Sequence, residues 1–122
     1  NNEYIRGGAV EALKRIGIGA VSALILALQD ENTDVRVRAA ETLKRIGTGA
    51  VPALIQALQD KDTNVRVSVV FVLGEIGKDA VPDLIQALQN EDWNIRYFAI
   101  EVLERIGTPD ALKAVEEYQS RQ

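Results

Sequence analysis

The stretch DVRVRAAETLKRIG at residues 34–47, followed by AVPALIQALQD at 50–60, holds two helical patterns in succession. In the first, Val35, Ala39, Leu43 and Ile46 fall on one face at helical spacing. In the second, Val51, Leu54, Ile55 and Leu58 stand at i, i+3, i+4 and i+7. Pro52 lies in the first turn of the second pattern, where a missing N–H costs little. Asp34 is placed to cap the first helix, and Gly47 follows that helix as a left-handed C-terminal residue would. The short link between the patterns predicts two antiparallel neighbours.

The same frame recurs on either side. Ile-Gly stands at Ile16-Gly17, Ile46-Gly47, Ile76-Gly77 and Ile106-Gly107, always thirty residues apart. The blocks 17–46, 47–76 and 77–106 align without gaps, and eleven of their thirty columns are identical in all three. Agreement of that extent means an internal repeat. Asn64 and Asn94 take the expected capping position of Asp34, and Gly17, Gly77 and Gly107 that of Gly47. No period-2 strand pattern occurs.

A helix pair this short cannot bury its apolar face alone, so neighbouring pairs must stack. The expected fold is therefore all-α, an α-solenoid of stacked antiparallel helix pairs. It forms one domain over 1–122. One layer, the A layer, comprises helices near 19–29, 49–59 and 79–89, closed by a divergent capping helix at 110–119. The other, the B layer, comprises 4–16, 34–46, 64–76 and 94–106. In the last A helix Ala111, Leu112, Val115 and Tyr118 keep one apolar face, while Glu116 and Gln119 make the outer face polar, as a terminal cap needs. Helix 4–16 carries Ile5, Ala9, Val10, Leu13 and Ile16 with no A helix before it. That predicts either upstream repeats in a longer parent protein or self-association through its uncovered face. The absence of Met, even at position 1, fits a fragment.

Composition narrows the chemistry. The chain has 122 residues, 47% hydrophobic and 26% charged, as a globular domain does. Cys and His are both absent, which removes disulfides, thiolate ligands, Ser-His-Asp and Cys-His arrangements and the HExxH zinc site. No cofactor or metal is expected. Net charge is -4, with eight basic against seven acidic residues in 1–61 and six against eleven in 62–122. A nucleic-acid module shows a basic excess, because phosphate neutralisation supplies most of its affinity. No run of about 18 apolar residues would span a membrane. The segments GIG at 17–19 and GTG at 47–49 read as turns, since no strand precedes them and no Lys follows. Carboxylate pairs such as Glu75 and Asp79, or Glu101 and Glu104, read as exposed helix acids, with nothing to place them in a dry cleft.

The frames DVRVRAAETLKRIG (34–47), NVRVSVVFVLGEIG (64–77) and NIRYFAIEVLERIG (94–107), with AVPALIQALQD between them, resemble the HEAT-like repeats of the phycobilisome-lyase type. The resemblance implies a curved solenoid whose second helices line the concave side, where partners bind. It also implies a structural ladder of arginines (Arg6, Arg36, Arg66 and Arg96) paired with carboxylates of the inter-helix turns. Asp30, Asp60, Asp62 and Asp92 are the candidate partners. Deoxyhypusine-hydroxylase-like relatives need His ligands that this chain lacks.

The B-helix columns pointing away from the core should then line the concave face. One column reads Gly7, Val37, Val67, Tyr97; the next Gly8, Arg38, Ser68, Phe98. Further along come Glu11, Glu41, Phe71, Glu101, then Lys14, Lys44, Gly74, Glu104, then Arg15, Arg45, Glu75, Arg105. Glu41–Arg45 and Glu101–Arg105 are spaced for weak i,i+4 pairs on a solvated face. Phe71 and Gly74 break the charged pattern, and Gly in a helix interior costs about 1 kcal/mol relative to Ala, so something needs the room. Phe71 is expected beside Tyr97 and Phe98, forming one apolar patch with Val67 and Val37. Trp93 and Phe98 have the spacing of a hydrophobic staple if Trp93 precedes the cap.

The expected function is a non-enzymatic, cytoplasmic protein-interaction scaffold. It would bind a protein or peptide through Val37, Val67, Phe71, Tyr97 and Phe98, with Arg38, Glu41 and Lys44 at the rim. Neither nucleic acid nor membrane is an expected partner. The alternative, which follows the resemblance, is an accessory subunit or chaperone for bilin attachment, with Arg38 or Arg45 meeting the propionates.

Overall fold

A computed structural model describes residues 16–122. Its long helices start where a short polar side chain can take the first free amides. Asn32 caps α2 (Thr33–Ile46), accepting from Asp34 N at 2.8 Å and Val35 N at 3.4 Å. Asp62 caps α4 (Thr63–Ile76), and Asp92 caps α6 (Trp93–Ile106), in the same way. The caps therefore lie two residues before the expected Asp34, Asn64 and Asn94, which sit inside the first turn and donate their own amides. The earlier residues win because only they keep an extended backbone that turns the side-chain oxygen onto the helix start.

The A-layer helices are shorter. Residues 16–27 form α1, Val51–Gln56 α3, Val81–Ala87 α5 and Pro109–Ser120 α7. A turn of 3-10 helix at Ala57–Gln59 extends α3, and others at Gly47–Gly49 and Gly77–Ala80 lead from the B layer back to the A layer. Pro52 and Pro82 occupy the first turn, as expected. Among the described residues there is no strand. The B helices α2, α4 and α6 touch in order, as do α3, α5 and α7, and each layer packs on the other. The molecule is an all-α solenoid.

Gly47 and Gly77 leave the B helices with φ of 63° and 75° and ψ of -122° and -137°. That is the mirror image of extended backbone, open at low cost only to glycine. Gly107 takes the ordinary left-handed conformation. Gly17 does neither: it lies within the continuous helix 16–27. Glycine permits a left-handed break but does not impose one. The expected helix 4–16, with its uncovered face and Arg6, lies outside the described residues apart from Ile16.

The core runs between the layers. Leu43, Leu73 and Leu103 from the B helices meet Leu54, Leu58 and Leu84 from the A helices, all fully buried. Val35 and Ile46, expected on the core face of α2, are instead 38% and 39% exposed. They sit near the two ends of α2, whose buried residues, Ala39 and Leu43, lie between them. In α7, Ala111 and Val115 are buried and Glu116 and Gln119 exposed, as a cap requires, but Leu112 faces solvent.

Candidate partner-binding surface

The three inter-helix turns are built alike. Asp30, Asp60 and Asn90 accept the backbone amide two residues on, at 2.9, 2.9 and 2.8 Å, and the residue that donates is the helix cap. This chain of side-chain-to-amide bonds occupies the turn oxygens that the resemblance had assigned to the arginines. Arg36 Nη1 instead donates to the carbonyls of Asp30 and Glu31 at 2.7 and 3.1 Å, and its Nη2 to Thr33 Oγ1 at 2.9 Å. Arg66 repeats this with the carbonyl of Asp60 and with Thr63 Oγ1. Arg96 donates to the carbonyls of Asn90 and Glu91 at 2.7 and 2.9 Å. Arg36, Arg66 and Arg96 thus hold equivalent positions, but their partners are carbonyl oxygens of the turns just past the C-terminal ends of the A helices, with threonine hydroxyls for two of them, not carboxylates. Cations are favoured at such a C-terminal end by its partial negative charge.

On the outer side of the B helices, Val37, Val67 and Phe71 are each at least half exposed. They line one groove between α2 and α4, about 360 Å³ in volume, whose walls also include Ala40, Ser68 and Val72. Arg36 and Leu28 line it as well. On α4, Val67 and Phe71 are four residues apart, so one helical stripe carries both. Arg38, Glu41 and Lys44 are exposed along α2 beside it. Of the residues expected to bind a partner, Val37, Val67 and Phe71 line one groove, while Arg38, Glu41 and Lys44 are exposed on α2 and are not among its lining residues.

Tyr97 and Phe98 do not join them. Tyr97 stacks on Trp93, with ring centroids 5.4 Å apart and planes 18° from parallel, and Phe98 meets Tyr97 edge-on at 5.0 Å. The Arg66 guanidinium lies over the Phe98 ring at 5.7 Å, and Phe98 packs half-buried in the α4–α6 seam. The expected single aromatic patch is thus two sites. Column 98 explains the split. Its counterpart Ser68 accepts from Gln29 Nε2 at 3.1 Å, so it makes a polar contact with the turn between α1 and α2. A phenyl ring cannot accept in that way and fills the next seam with apolar bulk. The expected Trp93–Phe98 staple is also replaced, because Trp93 is the first helical residue rather than the one before the cap.

Gly74 has its expected reason. A Cβ there would stand 3.1 Å from Cδ of Arg105, whose stem lies across the glycine. Among the described residues the ion pair within 4 Å is Lys44–Glu75, at 3.9 Å across the α2–α4 ridge, and neither Glu41–Arg45 nor Glu101–Arg105 forms one. Half-exposed pairs of this kind contribute little. Among the described residues, no group of three or more acidic side chains is placed to hold a metal ion, and no helix is long and apolar enough to cross a membrane.

Comparison with known proteins agrees with the repeat. A family model described as HEAT repeats matches residues 1–60 and again 51–121. No curated protein matches the chain.

Proposed function

We propose, from the premise that this chain belongs to the HEAT-repeat family, that it is a non-enzymatic scaffold gripping a protein or peptide partner in the α2–α4 groove. Stacked helical repeats commonly serve as extended binding surfaces for other proteins. The observation that carries the reading is the apolar stripe of Val37, Val67 and Phe71, half exposed on facing helices and lining one groove. A contiguous apolar strip rimmed by charge is the usual form of a protein-binding site, and an aromatic at its centre is a favoured anchor. Arg38, Lys44 and Glu41 supply a mixed rim that sets orientation more than affinity. An overall acidic chain with no basic stripe offers nucleic acid no footprint.

Chain immobilised on resin should retain a partner from an extract of the source organism, and Phe71→Ala should release it. Phe71 is half exposed, so its removal should cost the fold only about 1–1.5 kcal/mol. A Phe71→Ala chain that melts far earlier yet binds normally would show that the ring serves packing alone. The phycobilisome-lyase reading makes a separate prediction: free bilin mixed with the chain should change its absorbance, and Arg38→Ala or Arg45→Ala should abolish the change. The apolar, branched lining of the groove favours a peptide.

A further inference from the structure

The third turn departs from the other two at one residue. Thr33 and Thr63 receive Nη2 of Arg36 and Arg66, but the aligned position before Arg96 is Trp93. Arg96 keeps its two carbonyl bonds through Nη1, while Nη2 and Nε have no protein acceptor among the described residues. Arg96 also lines a pocket of about 170 Å³ between α6 and α7, together with Trp93, Tyr97, Ile100, Tyr118 and Gln122. Trp93 is 63% exposed and Tyr97 47%. The stack of Trp93 on Tyr97, braced edge-on by Phe98 beneath Arg66, holds that wall in place before any ligand arrives.

We propose that this pocket binds the carboxyl terminus of a peptide whose last side chain is aromatic or large and apolar. Two features choose that ligand. The free donors are those of a planar guanidinium, which suit the two oxygens of a carboxylate. The volume admits one ring, since a cavity of about 150 Å³ holds benzene. With room for a single side chain and Arg96 in the same wall, acid and ring must branch from one atom, as they do at a terminal residue. An internal Asp or Glu would need a second subsite for its apolar neighbour. The acidic excess of residues 62–122 turns away polyacidic segments and leaves a single charge, met by Arg96, as the suitable one. The site is separate from the α2–α4 groove and does not depend on the scaffold reading.

Trp93 is the only tryptophan, so the chain carries its own reporter. The probe is the peptide Gly-Gly-Leu-Phe bearing fluorescein at its amino end, as free acid and as C-terminal amide, followed by anisotropy. A Gly-Asp-Phe-Gly amide serves as an internal acid. The free acid should bind saturably and shift Trp93 emission, and both amides should bind at least tenfold more weakly. Trp93→Thr restores the partner that Arg36 and Arg66 possess, so it should fold and lose affinity at least tenfold; Tyr118→Ala provides a second variant and keeps the reporter. Phe71→Ala should bind the free acid unchanged. Equal binding of acid and amide, equal binding of the internal acid, undiminished binding by both pocket variants, loss of binding in Phe71→Ala, or no saturable binding up to 1 mM would each overturn the proposal.

Discussion

Gly74 and Gly77, three residues apart, place opposite demands on the backbone. Gly74 is helical and meets only the stem of an exposed arginine, which can swing aside. Gly77 has a φ of 75° and nothing near its absent Cβ, so the restriction there is conformational rather than spatial. Gly74→Ala should therefore stabilise the chain by about 0.5–1 kcal/mol through helix propensity and the unfolded state. Gly77→Ala should destabilise it by about 1–3 kcal/mol, because alanine is strained at that φ and ψ. Urea unfolding of the two variants checks both signs. If Gly74→Ala is destabilising, the Arg105 stem is held in place more firmly than its exposure suggests. The sequence showed that Gly74 interrupts a column of long side chains, but Arg105 as the occupant of the space depends on how α6 lies against α4.

Among the elements, the inter-helix turn shows most clearly what can and cannot be taken from residue order. The B helices followed from the thirty-residue period, and α2, α4 and α6 end at the expected isoleucines. The A helices differ, with α1 at 16–27 instead of 19–29 and α3 and α5 only six and seven residues long against the expected spans 49–59 and 79–89. The caps shifted by two residues because Asn32, Asp62, Asp34, Asn64 and Asn94 are all capable side chains, and only the backbone angle at each position chooses among them. Asp62→Ala should accordingly cost about 1 kcal/mol, while Asn64→Ala, inside the first turn, should change stability by no more than a few tenths. Thermal melting of the pair distinguishes the two cap positions; equal losses would contradict the one described here. The arginine partners follow the same logic. Asn90 performs in the third turn the work of Asp30 and Asp60 without a charge, so the ladder does not require carboxylates.

Over the whole molecule, contacts join each repeat mainly to its neighbours, so stability should fall from the middle toward the ends. Val69, Val72 and Leu73 of α4 are buried with α2 and α6 on either side. Their amides should exchange with solvent most slowly, and those of the last turn of α7 among the fastest. Hydrogen exchange read by NMR tests this, and uniform protection along the chain would show instead a single cooperative unit. The two candidate sites lie at different seams of this row: one is an apolar groove at α2–α4, the other an aromatic pocket lined in part by Arg96 at α6–α7.

Residue order alone determined the period, the helical class, the two layers and the leucines between them, because burial of a repeated apolar face has only one economical solution: stacking. It also marked Val37, Val67, Phe71 and Tyr97 as facing outward. Tertiary structure decided which of those residues meet. Ser68 and Phe98 occupy the same column, yet one accepts a hydrogen bond from Gln29 and the other sets a ring beneath Arg66. That difference divides the aromatic strip into two sites, since side chains on successive helices pair according to the shape and polarity of the seam between them, which no single repeat encodes.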